Sequence, residues 1–218
     1  MAGVASLPVP DPALLPDLDP ADLDSVPVER SETIPSAWYT DPRFHELDRQ
    51  AVFGRTWQYV ADLPRLSSPG DVVVTHVAGE PIIVVRDKAG TLHAFFNVCR
   101  HRGGPLALKD EQCDMLSCKY HGWTYRLDGM LRGVPHFNQV ELFDKKDYGL
   151  TPVPFTLWEG LVFVHLGERP TPIEAAFTGI RERVAPTRLG ALQFVRQVDY
   201  EVRCNWKVYV DNFLEGYH

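Results

Sequence analysis

Two short clusters, Cys99-Arg-His101 and Cys118-Lys-Tyr-His121, constrain this 218-residue chain more than any other feature. The first reads C-x-H and the second C-x-x-H, with sixteen residues between His101 and Cys118. Each carries glycine at its exit, Gly103-Gly104-Pro105 after the first and Gly122 after the second. Two thiolates and two neutral imidazoles are the donor set of a mixed-ligand [2Fe–2S] centre, in which the imidazoles replace thiolates on one iron and raise the reduction potential. A structural zinc site, which also takes Cys2His2, is the competing reading. Zinc modules usually group Cys with Cys and His with His. Here the two types alternate, which favours the cluster.

The motifs CRHRGGP and CKYHGW resemble the Rieske domain of ring-hydroxylating oxygenase α subunits, and the likeness extends from about residue 38 onward. The stretch from Asn205-Trp-Lys to Glu215-Gly-Tyr-His218 resembles the start of the same family's catalytic-iron motif. Its Glu form is similar to members acting on quaternary ammonium compounds such as choline, carnitine and betaines. The resemblance implies that Cys99, His101, Cys118 and His121 hold the cluster and that His218 is the first histidine on a mononuclear Fe(II). It implies that Glu215 is a relay for electrons and protons to the iron, from the neighbouring subunit's counterpart of His121. It further implies a reductase or ferredoxin component drawing on NAD(P)H, O2 with a small organic substrate to be hydroxylated or demethylated, and a homotrimer. The implied activity is that of a Rieske non-haem iron mono- or dioxygenase.

Read from the residues alone, Glu215 and His218 stand at i, i+3 and share a helix face. A facial triad of two His and one carboxylate holds Fe(II) with open positions. One histidine cannot hold the iron, so the remaining ligands are expected after residue 218, and the chain as given is expected to carry the cluster without completing the oxygenation. An electron-carrying Rieske ferredoxin is the alternative function. It needs no capped helix, extra strand or Glu-x-x-His pair, and residues 171–218 contain all three patterns.

Charge is unevenly spread. Residues 1–32 hold seven acids against Arg30 alone, which leaves 22 acids and 21 bases in the rest of a chain of net charge −7. No basic field for nucleic acid exists, and no Lys/Arg tract suits an anionic membrane. No secretory signal pattern and no run of about 18 apolar residues is present, so a cytoplasmic, reducing setting is expected. Two cysteines remain: Cys113 reads as a buried thiol and Cys204 has no assigned role. His45, His76, His93, His136 and His165 lack a partner at ligand spacing and read as structural.

The expected organisation has three parts. Residues 1–37 form a disordered arm, with seven prolines and no aromatic residue in the first 35. Residues 38–170 form a mainly β Rieske domain, a small antiparallel barrel or sandwich with two protruding metal-binding loops and an N-terminal helix begun by Asp41-Pro42. Residues 171–218 begin an incomplete α+β catalytic domain. Strands are expected at 57–61, 72–77, 81–86, 92–98, 115–117, 124–126, 151–157 and 161–166. Beyond 170, Thr171-Pro-Ile-Glu174 reads as a capping box. A helix follows through Ile173, Phe177, Ile180 and Val184, then a strand over 194–202 and a last helix capped by Asn205.

Overall fold

The structure, a computed structural model, describes residues 16–17, 19–24, 26–137 and 140–214. It divides into two compact units. One spans Phe53–Val195; the other joins the described residues of Pro8–Val52 to those of Arg196–His218.

The first unit is built on strands. They are β1 (Gln58–Asp62), β2 (Asp71–Val77), β3 (Glu80–Arg86), β4 (Leu92–Phe96), β5 (Glu111–Gln112), β6 (Leu116–Ser117), β7 (Thr124–Tyr125), β8 (Leu131–Gly133), β9 (Phe155–Trp158) and β10 (Leu161–Val164). They make three antiparallel sheets, ordered β1-β10-β9, β4-β3-β2-β5 and β6-β7-β8. Two hairpins use the same device. Ala78-Gly79 between β2 and β3, and Glu159-Gly160 between β9 and β10, both take positive φ at both positions. A two-residue turn of that hand matches the twist of the flanking strands.

The central strand β3 explains the layering. Ile82, Ile83, Val84 and Val85 are all fully buried, because both of its faces are covered. On one face Ile82 and Val84 join Val60, Ala61, Val162 and Val164 from the sheet of β1, β9 and β10. On the other, Ile83 and Val85 join Leu106, Leu116, Trp123 and Tyr125 and reach Cys99 and Cys118. An apolar run without alternation is what a two-faced burial requires. Of the expected barrel or sandwich, the sandwich is the nearer description. Among the described residues the ladders leave three separate sheets and close no barrel.

The helices are short. Residues Ala37–Thr40 (α1) and Pro42–Asp48 (α2) lie in the second unit, with Asp41 accepting from the Arg43 N–H at the start of α2 and Trp38 stacked on buried Phe44. In the first unit, Ile173–Ala176 (α3) and Ile180–Val184 (α4) replace the single helix that the apolar spacing predicts. Gly179, at φ 77°, interrupts it. The capping box does not form, because Pro172 stands at the cap and no side chain bonds there. The Thr171 carbonyl instead accepts the Trp57 indole N–H.

Residues 194–202 join no ladder among the described residues, so the expected strand does not form there. Trp206–Leu214 (α5) forms as expected, with Asn205 accepting from the Lys207 N–H. The described part of the N-terminal arm has two single turns of 3-10 helix, Pro20–Leu23 and Val28–Arg30. No helix among the described residues is long and apolar enough to cross a membrane.

Candidate metal centre

The two cysteine-histidine loops close with the same pair of backbone bonds. In the first, the Cys99 N–H donates to the Gly104 carbonyl at 2.8 Å and the Gly103 N–H returns to the Cys99 carbonyl at 3.0 Å. In the second, the Cys118 N–H donates to the Trp123 carbonyl at 2.9 Å and the Gly122 N–H returns to the Cys118 carbonyl at 2.9 Å. Gly103 and Gly122 occupy matching positions with φ of 73° and 72°. That is the left-handed region, which a side chain at those positions would strain. The repeat in the sequence is therefore a repeat in three dimensions.

The loops meet. A Cβ on Gly104 would lie 3.0 Å from the Cys118 sulfur, so glycine there lets one loop rest against the other's thiol. Cys99 and Cys118 are both buried, 2% and 3% exposed, and both are free thiols. The His101 and His121 rings lie edge to face with centroids 4.6 Å apart. The structure thus brings together all four residues singled out by their spacing, as one pair of thiols and one pair of imidazoles. Among the described residues, no three His, Cys, Asp or Glu side chains converge on one point as a single ion would need.

The environment suits metal donors. His101 is stacked on Trp123, with centroids 4.9 Å apart and planes within 9°. Its Nδ1 is buried with no hydrogen-bond partner, a costly state for a polar atom unless something else meets its lone pair. Burial, then the charges of His121 and Arg102, hold the His101 pKa below the ordinary imidazole value, which favours the neutral form a metal needs. Burial pushes the Cys99 thiol up. A free thiol there stays protonated, so binding a metal would release its proton. Tyr120 lies over His121, and both are exposed.

Three features complete the surroundings of the loops. Tyr125, fully buried, has its hydroxyl 3.3 Å from the Cys99 sulfur and accepts the Arg100 N–H at 3.0 Å. An aromatic wall of Phe137, Phe143 and Tyr148 stands edge-on or tilted around Trp123. Asn97, also buried, ties down the exit of the first loop. Its Oδ1 accepts from the Leu106 and Ala107 amides at 2.8 and 3.2 Å, and its Nδ2 donates to the Ala107 carbonyl at 2.7 Å. The available signal for Asn97 was a polar residue closing the apolar run Leu92–Phe96, two positions before the first cysteine.

The remaining candidates divide. His93 pairs with Asp87 at 2.9 Å and stacks on Phe95; the His165 Nδ1 accepts the Gly167 N–H. Cys113 is half-buried, and burial raises its thiol pKa. Glu215 and His218 lie outside the described residues. The loop segments themselves carry only basic charge, with Arg126 paired to Asp128 just beyond them at 2.9 Å. Residues 99–109 and 118–127 contain Arg100, Arg102, Lys109, Lys119 and Arg126 and no acid.

Comparison with known proteins adds to this geometry. Residues 56–144 match the Rieske [2Fe-2S] domain family, and residues 189–218 match the catalytic domain of the ring hydroxylating alpha subunit. The carnitine monooxygenase oxygenase subunit of Acinetobacter baumannii is 34% identical over 189 residues, covering 85% of this chain and 51% of that protein. A solved quaternary ammonium Rieske monooxygenase, described in terms of carnitine oxidation and inter-subunit electron transfer, superimposes with a TM-score of 0.78 at 33% identity, over 84% of this chain and 51% of its own. Naphthalene 1,2-dioxygenase from Rhodococcus sp. superimposes with a TM-score of 0.79 at 28% identity, over 87% of this chain and 45% of its own. The chain spans about half the length of the carnitine-oxidising relatives.

The Asn97 network yields the first prediction. In Asn97→Ala the Leu106 and Ala107 amides are left buried without their acceptor, at about 1–3 kcal/mol for each. Urea unfolding should show the lost stability. Hydrogen exchange should quicken at those two amides while the amides of β3 stay protected.

Proposed function

Because the chain belongs to the Rieske ring-hydroxylating oxygenase α-subunit family, we propose that Cys99 and Cys118 hold one iron of a [2Fe–2S] cluster, His101 and His121 the other, in the service of an oxygenase. The observation that carries this reading is the pair of identically closed loops, which gather two buried thiols and two contacting imidazoles in one place. The orphaned Nδ1 of His101 supports it, since a metal would supply the partner that the protein does not. A cluster held there would supply one-electron transfer, and a mononuclear iron in the complete protein the activation of O2, with electrons drawn from NAD(P)H through a reductase.

The chain's own residues then have definite tasks. Tyr125 already accepts the Arg100 N–H, so its proton is the one directed at the Cys99 sulfur. Against a thiolate, which can only accept, that hydroxyl donates and stabilises the negative charge added on reduction. Arg100, Arg102 and Lys119, all exposed, make the cluster face positive and suit it to an acidic reductase surface. His121 and Tyr120 form the exposed edge. In this reading a neighbouring copy approaches that edge with Glu215, which relays charge to the iron bound by its own His218, in a homotrimer. The match over 189–218 and the inter-subunit transfer described for the carnitine-oxidising relative support that assignment.

The proposed domain division is an arm over 1–37, a cluster domain over 38–170 and the start of the catalytic domain over 171–218. The two family matches fall within the second and third of these. A cytoplasmic setting, which keeps cysteines reduced, suits the four free thiols. For substrate we favour a quaternary ammonium compound. The fold is shared almost equally with a quaternary ammonium monooxygenase and with naphthalene dioxygenase, so fold alone is indifferent, whereas sequence identity leans to the former.

Four outcomes test the proposal. The purified protein should contain two irons and two acid-labile sulfides at this site and give a Rieske-type EPR signal when reduced. His121→Ala should abolish that signal, while zinc without sulfide would overturn the reading. Tyr125→Phe should lower the midpoint potential by tens of millivolts, on the order of one lost hydrogen bond of ~1 kcal/mol; redox titration followed by EPR reads this directly. Full-length protein with a reductase should couple NADH oxidation to carnitine, choline or betaine analogues. Coupling confined to aromatic hydrocarbons would reject the substrate class.

A further inference from the structure

Within the second unit, helix α5 is held by acids and donors that are distant in sequence. Asp48, the last residue of α2, accepts from the Trp206 indole N–H at 2.9 Å through Oδ2. The Lys207 ammonium reaches the same oxygen. Both ion-pair partners are well covered, with side chains 13% and 12% exposed. The ammonium also lies 5.2 Å from the Trp206 ring centroid. One turn further along α5, Asp211 accepts the Tyr39 hydroxyl at 2.6 Å.

These contacts matter because α5 cannot hold itself in place. It is nine residues long, below the ~12–15 that an isolated helix needs in water. Its Tyr209, Phe213 and Leu214 are exposed in the described structure, so they do not anchor it. Among the described contacts, anchoring comes from its first turn, Asn205 to Lys207, and from Asp211. Glu215 follows α5 directly in the chain, and His218 stands three residues later.

We propose that Asp48 is a positioning residue for the mononuclear iron site: through Trp206 and Lys207 it sets the placement of α5, the helix that leads in sequence to Glu215 and His218. The inference rests on the reading of His218 as an iron ligand. It gives the helices at 37–48 a task within the oxygenase half of the reaction, although they precede the cluster loops in sequence. A misplacement of about 1 Å at a reacting centre can cost a hundredfold in rate, so a fixed α5 has a direct effect on turnover.

The test uses full-length protein carrying Asp48→Asn, Trp206→Phe, Asp48→Glu or His218→Ala. Trp206→Phe removes one N–H and keeps a ring in place, so it guards against a folding failure in the first variant. Three quantities are read: the reduced-cluster EPR signal, the EPR signal of the nitric oxide adduct of the mononuclear iron, and the share of consumed O2 released as hydrogen peroxide.

Asp48→Asn and Trp206→Phe should keep the cluster signal at wild-type intensity. Both should weaken or broaden the nitric oxide adduct, divert O2 to peroxide and lower turnover by roughly tenfold to a hundredfold. Asp48→Glu should restore part of each. Adduct and coupling within twofold of wild type in Asp48→Asn would overturn the role of Asp48, as would loss of the cluster signal in step with the adduct. If His218→Ala retains the adduct, the iron-ligand reading itself fails. If His218→Ala loses it while Asp48→Asn does not, only the positioning role fails.

Discussion

Everything in the first unit depends on bringing two loops, sixteen residues apart, to one point at the edge of a β core without leaving their backbone groups unpaired. The matched closures accomplish this. Each cysteine uses both its N–H and its carbonyl to shut its own loop, so the turns are satisfied internally. The thiols are then free to point inward, where Ile83, Val85, Phe95 and Leu116 pack around them. The imidazoles stay at the rim. Polar donors and an apolar core thus meet across a boundary that the loop geometry itself defines.

The supporting residues follow from that boundary. Asn97 supplies three hydrogen bonds where the first loop re-enters the core, a place with no strand to pair with. Tyr125 reaches both the Cys99 sulfur and the Arg100 amide from a strand only two residues long. Trp123 seats the His101 ring and is itself backed by Phe137, Phe143 and Tyr148. A ring stacked on an indole has little freedom to turn, which keeps its nitrogen aimed before any metal arrives. Arg100, Arg102 and Lys119 flank the cysteine and histidine positions in a chain that is acidic as a whole.

The second unit has a different economy. Its helices are short and largely exposed, and its order comes from a few polar contacts of long sequence separation, Asp48 with Trp206 and Lys207 and Tyr39 with Asp211. A covered carboxylate shared by an indole and an ammonium is sensitive to substitution, because removing one partner strands a charge in a poorly solvated place. Residues 194–202 add a period-two pattern that finds no ladder among the described residues.

The sequence by itself determined the donor set, since Cys and His alternating at those spacings on glycine-bearing loops admit few uses. It also determined the β character of 57–166, because β-branched runs and two-residue turns are local signals with a period that can be read from the chain. The start of α5 at Asn205 was equally local, a side-chain cap two residues from its donor. Other features were decided only by the tertiary structure. Gly179 divided a helix that apolar spacing drew as continuous, and Pro172 at the cap displaced the expected capping box. The choice between barrel and sandwich fell to the tertiary structure, because closure depends on pairings between distant strands. Asn97, Tyr125 and Asp48 gained their tasks from partners 9, 26 and 158 residues away. Such partnerships leave no period and no spacing in the chain, and only folding brings their atoms within bonding distance.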